Sequence, residues 1–123
     1  MTRFSACIEW LFADAGGLPP LPGTAGAGQV IAEAASFPDR IRAARAAGLQ
    51  AVEFWHWSNK DRDGIRTALA ETGLALSSIL CEPITQITDP ETHSTFLAGV
   101  EASVRAAREL GAPVIIAQAG DDR

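Results

Sequence analysis

A chain of 123 residues, 47% hydrophobic and 20% charged, has the size of one domain and is too apolar to be disordered. Its net charge of −5 and pI near 4.9, with ten scattered Lys and Arg residues, exclude a protein built to track a phosphate backbone, so no nucleic-acid partner is expected. No apolar run reaches the ~18 residues of a membrane span. Met1-Thr2-Arg3-Phe4 leads into a strand-like pattern without a signal-peptide core, so no membrane partner and a cytoplasmic location are expected.

In chain order the first predicted strand is Phe4 to Ile8. A stretch rich in Gly, Pro and Ala follows at 13–35, including Gly16-Gly17-Leu18-Pro19-Pro20-Leu21-Pro22-Gly23. It exceeds an ordinary connection. It reads equally as a functional loop over the strand ends or as a tolerated surface insertion. Gly26-Ala27-Gly28 inside it lacks the third glycine of a dinucleotide fingerprint, and no strand immediately precedes it.

Ser36 before Phe37-Pro38-Asp39 predicts a helix start, with a capping hydroxyl, an early proline and an acid in the first turn. Phe37, Ile41 and Ala44 share its apolar face. Gly48 ends that helix, and a strand from Ala51 to Trp55 follows. Asp61 caps a second helix with an Ile65–Leu69 stripe, Gly73 ends it, and a third strand runs from Leu76 to Leu80. Asp89-Pro90-Glu91 opens the longest helix, whose expected buried stripe is Phe96, Val100, Val104 and Ala107. Gly111 closes it before a fourth strand from Val114 to Gln118. Each of these glycines falls where a helix takes a left-handed residue at its end. Short apolar strands alternating with amphipathic helices predict an α/β fold with a parallel sheet of about four strands and three helices.

In such folds the loops after the strands' C-terminal ends build the site. Polar residues gather there: Glu9 after the first strand, Glu53 within the second and His56, Trp57, Asn59 and Lys60 after it, Glu82 after the third, and Gln118 at the end of the fourth. A carboxylate in an apolar strand is costly unless paired or solvated, so Glu53 reads as a pocket group or as an ion-pair partner. His56 reads as a metal ligand, a base or a hydrogen-bonding wall residue. Of Trp55 and Trp57, one is expected in the core and the other as an apolar pocket wall. Pro83 holds Glu82 extended, which aims its carboxylate at the rim. Cys7 and Cys81 fit no zinc spacing and are expected to be reduced core or pocket thiols. The candidate substrate-binding residues are therefore Glu53, His56, Trp57, Lys60, Glu82 and Gln118, expected to converge on one cavity.

The segment Ala51-Val52-Glu53-Phe54-Trp55-His56-Trp57-Ser58-Asn59-Lys60-Asp61 resembles the second strand and loop of hydroxypyruvate isomerase-like proteins, in the xylose isomerase-like TIM-barrel superfamily of sugar isomerases and epimerases. The likeness continues through Glu71-Thr72-Gly73-Leu74, Cys81-Glu82, Thr88-Asp89-Pro90 and Ala117-Gln118-Ala119-Gly120. The resemblance implies the first half of a (β/α)8 TIM barrel, a single partial domain over 1–123, with the 13–35 stretch as an insertion after the first strand. It also implies an enzyme that moves a proton between adjacent carbons of a small sugar or hydroxy-keto acid. In the family, the catalytic glutamate pair and the ligands of a divalent metal, magnesium or manganese, come largely from strands five to eight. No position here matches them, so no catalytic residue and no metal ligand is assigned within this chain.

A full barrel takes roughly 250 residues. Three readings of the shorter chain are open: a fragment lacking its C-terminal half, a half-barrel that pairs with a second copy, or an open four-stranded domain. A non-catalytic, self-associating or partner-binding half-barrel is the alternative to an isomerase. A metal-dependent nuclease of the same superfamily is disfavoured by the acidic balance.

Overall fold

A computed structural model describes residues 3–12 and 35–120. The stretch read at 13–35 lies outside them except for Ala35. The described elements are β1 (Ser5–Cys7), α1 (Phe37–Ala46), β2 (Ala51–Glu53), α2 (Arg62–Thr72), β3 (Ala75–Leu76), β4 (Ser78–Leu80), a 3-10 turn (Pro90–Thr92), α3 (His93–Leu110) and β5 (Val114–Ile116).

All strand pairings are parallel. β1 lies beside β2 with Cys7 opposite Glu53, β2 beside β3 with Val52 opposite Leu76, and β4 beside β5 with Leu80 opposite Ile116. β3 and β4 are the two halves of the single third strand expected from the sequence, interrupted at Ser77. The Ser77 N–H donates to the Val52 carbonyl at 2.9 Å and the Leu80 N–H to the Trp55 carbonyl at 3.0 Å, so the two halves run along β2 and the segment just after it and join the two ladders. With its helices this is a parallel β/α arrangement, as expected from the sequence.

The helix ends are set by local chemistry. The Ser36 hydroxyl accepts from the Asp39 N–H at 3.3 Å and donates to the Asp39 carboxylate at 2.7 Å. That contact, reinforced by Arg42, holds the Asp39 carboxyl below the usual range. A lowered folded-state value means that its contribution is present above the ordinary Asp pKa of 3.8 and is lost as pH falls through the folded value. Ser36→Ala should cost about 1 kcal/mol in urea unfolding near neutral pH, with a smaller penalty in acid; an unchanged midpoint would count against the cap. Asp61 caps α2 through the Gly64 N–H at 3.0 Å. Gly73 and Gly111 end α2 and α3 with φ of 68° and 77°, the left-handed geometry that their sequence positions implied.

The core lies between the strands and the three helices: Ile8, Val52, Phe54, Leu76 and Ile79 pack against Ile41 and Ala44, Ile65 and Leu69, and Ala106, Ala107 and Leu110. The long helix corrects two expectations. Its first turn, capped by Asp89, is 3-10, and the α-helix proper begins at His93. Its buried stripe is Gly99, Ser103, Ala106, Ala107 and Leu110, with Phe96, Val100 and Val104 only half-buried. The reason is a close approach: a Cβ at Gly99 would stand 2.7 Å from Pro83 Cδ and nearer still to the Glu82 carbonyl oxygen, so only the small-residue face of α3 fits there. On β5, Ile115 packs on the core, whereas Val114 and Ile116, pointing the opposite way, are exposed.

Candidate functional site

Polar groups cluster at the C-terminal ends of the strands, and the network centres on Glu82, two residues past β4. Its Oε1 hydrogen-bonds His56 Nδ1, and its Oε2 accepts from the Ser58 N–H at 3.1 Å. Its own N–H donates to the Ser103 hydroxyl of α3 at 2.9 Å. The same hydroxyl accepts from the Trp57 indole at 3.2 Å. Glu82 is therefore held at both its backbone and its carboxylate, with the side chain only 11% exposed, while the His56 ring is 40% exposed. The Glu82-Pro83 bond is cis.

Two cavities share this carboxylate. The smaller, about 260 Å³, is lined by His56, Ser58, Glu82, Pro83 and Ile84. The larger, about 660 Å³, runs from Trp57, Ser58, Glu82 and Pro83 along the first half of α3 to Ala102. Trp57 packs partly on the core and forms a wall of the larger cavity. Trp55 is exposed and meets Trp10 edge to face, with ring centroids 5.9 Å apart.

A second cluster sits at the end of β1. Lys60, whose side chain is 4% exposed, donates to Glu9 Oε1 at 3.1 Å, and Glu9 Oε2 accepts from the Trp55 N–H at 3.0 Å. The Lys60 ammonium stands 4.3 Å from the Phe37 ring centroid, and the Arg40 guanidinium is 4.5 Å from the same ring. Arg40 also donates to the carbonyls of Ile8, Glu9 and Ala35. Both cations are thus engaged within the fold.

Of the six residues singled out in the sequence, the structure joins His56, Trp57 and Glu82. Glu53 instead accepts from the Ser78 hydroxyl at 3.0 Å, Lys60 is occupied by Glu9, and Gln118 is exposed; none of these three lines either cavity. Sequence reasoning put Glu9 at the rim without its partner. It missed Ser103 altogether, because a serine inside an amphipathic helix carries no signal of what it will meet. Cys7 and Cys81 are free thiols, Cys81 buried. Among the described residues, no three His, Cys, Asp or Glu side chains come together as metal ligands. No helix among them is long and apolar enough to cross a membrane.

Parallel β/α units with polar groups gathered at the strands' C-terminal ends match part of a (β/α) barrel, a fold whose sites lie at that end. Comparison with known proteins agrees. The chain is 32% identical over 126 residues to a human protein named putative hydroxypyruvate isomerase, an alignment that takes in 96% of this chain and 38% of that protein. It superposes on the crystal structure of an AP endonuclease, family 2, from Brucella melitensis with a TM-score of 0.74 and 20% identity, over 98% of this chain and 42% of that one. No family model matches. The chain spans about two fifths of the length of these proteins. The resemblance to the hydroxypyruvate isomerase-like proteins of the xylose isomerase-like barrels therefore holds along nearly the whole chain, and the second likeness establishes the fold.

Proposed function

We propose that this chain is the N-terminal part of an isomerase or epimerase barrel that moves a proton between adjacent carbons of a small sugar or hydroxy-keto acid, with hydroxypyruvate the first substrate to test. The observation that carries the reading is the Glu82–His56 pair, held at the C-terminal ends of neighbouring parallel strands beside a cavity. The human relative's name supports the substrate class. His56, Trp57 and Glu82 bind and orient the substrate. The base for the C–H proton and the ligands of a magnesium or manganese ion come from the rest of the barrel.

The test is the interconversion of hydroxypyruvate and its aldehyde isomer, followed by NMR, with and without Mg²⁺ or Mn²⁺. It is run on the longest polypeptide that carries these residues. Turnover that drops about 100-fold in His56→Gln is expected. No turnover of hydroxypyruvate or of small ketoses under either condition would sink the reading.

A second reading has its own observation. β1 and β5 each pair on one side only among the described strands, and Phe4, Val114 and Ile116 are exposed on or beside them. A twofold axis along the barrel would place β5 of one copy beside β1 of another. Sedimentation of the 123-residue chain as a dimer at micromolar concentration would favour this self-associating half-barrel, and a well-behaved monomer would exclude it.

A further inference from the structure

Within this proposed isomerase, and resting on that reading, we infer that His56 is the group that carries the hydroxyl proton between two substrate oxygens, with Glu82 as its positioning residue. Ionised glutamate can only accept, so its contact with Nδ1 puts the hydrogen of the neutral imidazole on Nδ1 and leaves the lone pair on Nε2. Nε2 makes no hydrogen bond among the described residues, while the ring is part of the wall of the smaller cavity. Glu82 cannot swing away readily. The Ser58 N–H holds its carboxylate, the Ser103 hydroxyl holds its N–H, and Gly99 lets α3 close on its carbonyl. A half-exposed histidine with one nitrogen locked and the other open is preorganised for proton transfer rather than for packing.

The chemistry balances. Moving a C–H proton between adjacent carbons of an α-hydroxy carbonyl compound also requires one hydroxyl proton to move between their oxygens. Nε2 takes that proton from the hydroxyl: the O–H bond breaks, its electron pair stays on oxygen, and an N–H bond forms. The imidazolium, stabilised by the Glu82 carboxylate, then returns the proton to the neighbouring oxygen. One proton is taken and one is given back, and the carbon-bound proton travels by a separate base outside this chain.

Nitrogen-15 NMR of the histidine rings in the 123-residue chain tests this without turnover. The chain has two histidines, and His93 is an internal reference, because its Nε2 contacts the Ile87 carbonyl and must carry the hydrogen there. Opposite tautomers are expected, with hydrogen on Nδ1 in His56 and on Nε2 in His93, and Glu82→Ala should shift His56 toward the Nε2–H form that free imidazole prefers. Titration of the longest polypeptide that carries these residues with glycolohydroxamate, a mimic of the enediolate, should move the His56 ring nitrogens saturably, and the affinity should fall about tenfold in Glu82→Ala. Hydrogen on Nε2 of wild-type His56 overturns the assignment. Probe shifts at Trp57 and Ser58 that leave His56 untouched overturn it too, while keeping the rim as a substrate site. No shift anywhere removes the substrate-site reading itself and the assignment with it. If Glu82→Ala does not fold, the wild-type tautomer and titration decide.

Discussion

Gly99→Ala should lower the stability of this chain by about 2 kcal/mol, a fall in Tm of roughly 10 °C, although alanine is the better helix former by about 1 kcal/mol. The new methyl group would meet the Glu82 carbonyl, the Glu82 carbonyl carbon at 3.0 Å and Pro83 Cδ. Two of these are backbone atoms and the third belongs to a ring, so nothing can rotate aside. The only relief is for α3 to move away from the end of β4. That motion pulls the Ser103 hydroxyl off the Glu82 N–H and the Trp57 indole, so the site should loosen together with the fold. Thermal unfolding followed by circular dichroism measures the first effect, and the Trp57 indole N–H resonance reports the second. An unchanged Tm would mean that α3 does not rest on Glu82 as described.

Lys60→Met should cost more, about 3–4 kcal/mol, because it strands the Glu9 carboxylate in a largely buried position. The glutamate is 18% exposed and, among the described residues, would keep only the Trp55 N–H as a partner. Glu9→Gln/Lys60→Met should recover most of the loss. An amide oxygen still accepts from the Trp55 N–H, no uncompensated charge remains, and the methionine stays against Phe37 and Phe54 where the lysine stem lay. Urea unfolding of the wild type, both single variants and the double variant closes the cycle. If the double variant is as unstable as Lys60→Met, the damage is lost packing rather than an unpaired charge. If Lys60→Met is neutral, the pair is more solvated than the 4% exposure of Lys60 and the 18% of Glu9 indicate.

Elements whose causes are local are legible in the residues themselves. Ser36, Asp61 and Asp89 each cap the turn that follows them, and Gly73 and Gly111 take the left-handed conformation that their positions imply. The exceptions have tertiary causes. The third strand breaks at Ser77, where the chain passes from β3 to the pairing of β4 with β5 while still following β2 and the segment just after it. The apolar stripe expected on α3 lost to a small-residue face, because the nearest neighbour is the backbone at Glu82 and Pro83 rather than a layer of large side chains.

The candidate site divides along the same line. A run of apolar residues ending in Glu82, or in Trp55-His56-Trp57, places those groups at a strand's end, since alternation and turn chemistry act over a few residues. Which of them meet is decided across the parallel sheet. His56 reaches a carboxylate 26 residues away, and Lys60 one 51 residues away, because helical crossovers set neighbouring strand ends side by side. Nothing in the local pattern distinguishes Lys60, drawn into a pair with Glu9, from His56, left with an open nitrogen. The repeating β/α order and the rim that carries the polar residues follow from the amino-acid order alone, because capping, periodicity and propensity are short-range. The partners follow from the assembled fold, because pairing depends on register and on how closely α3 approaches Glu82.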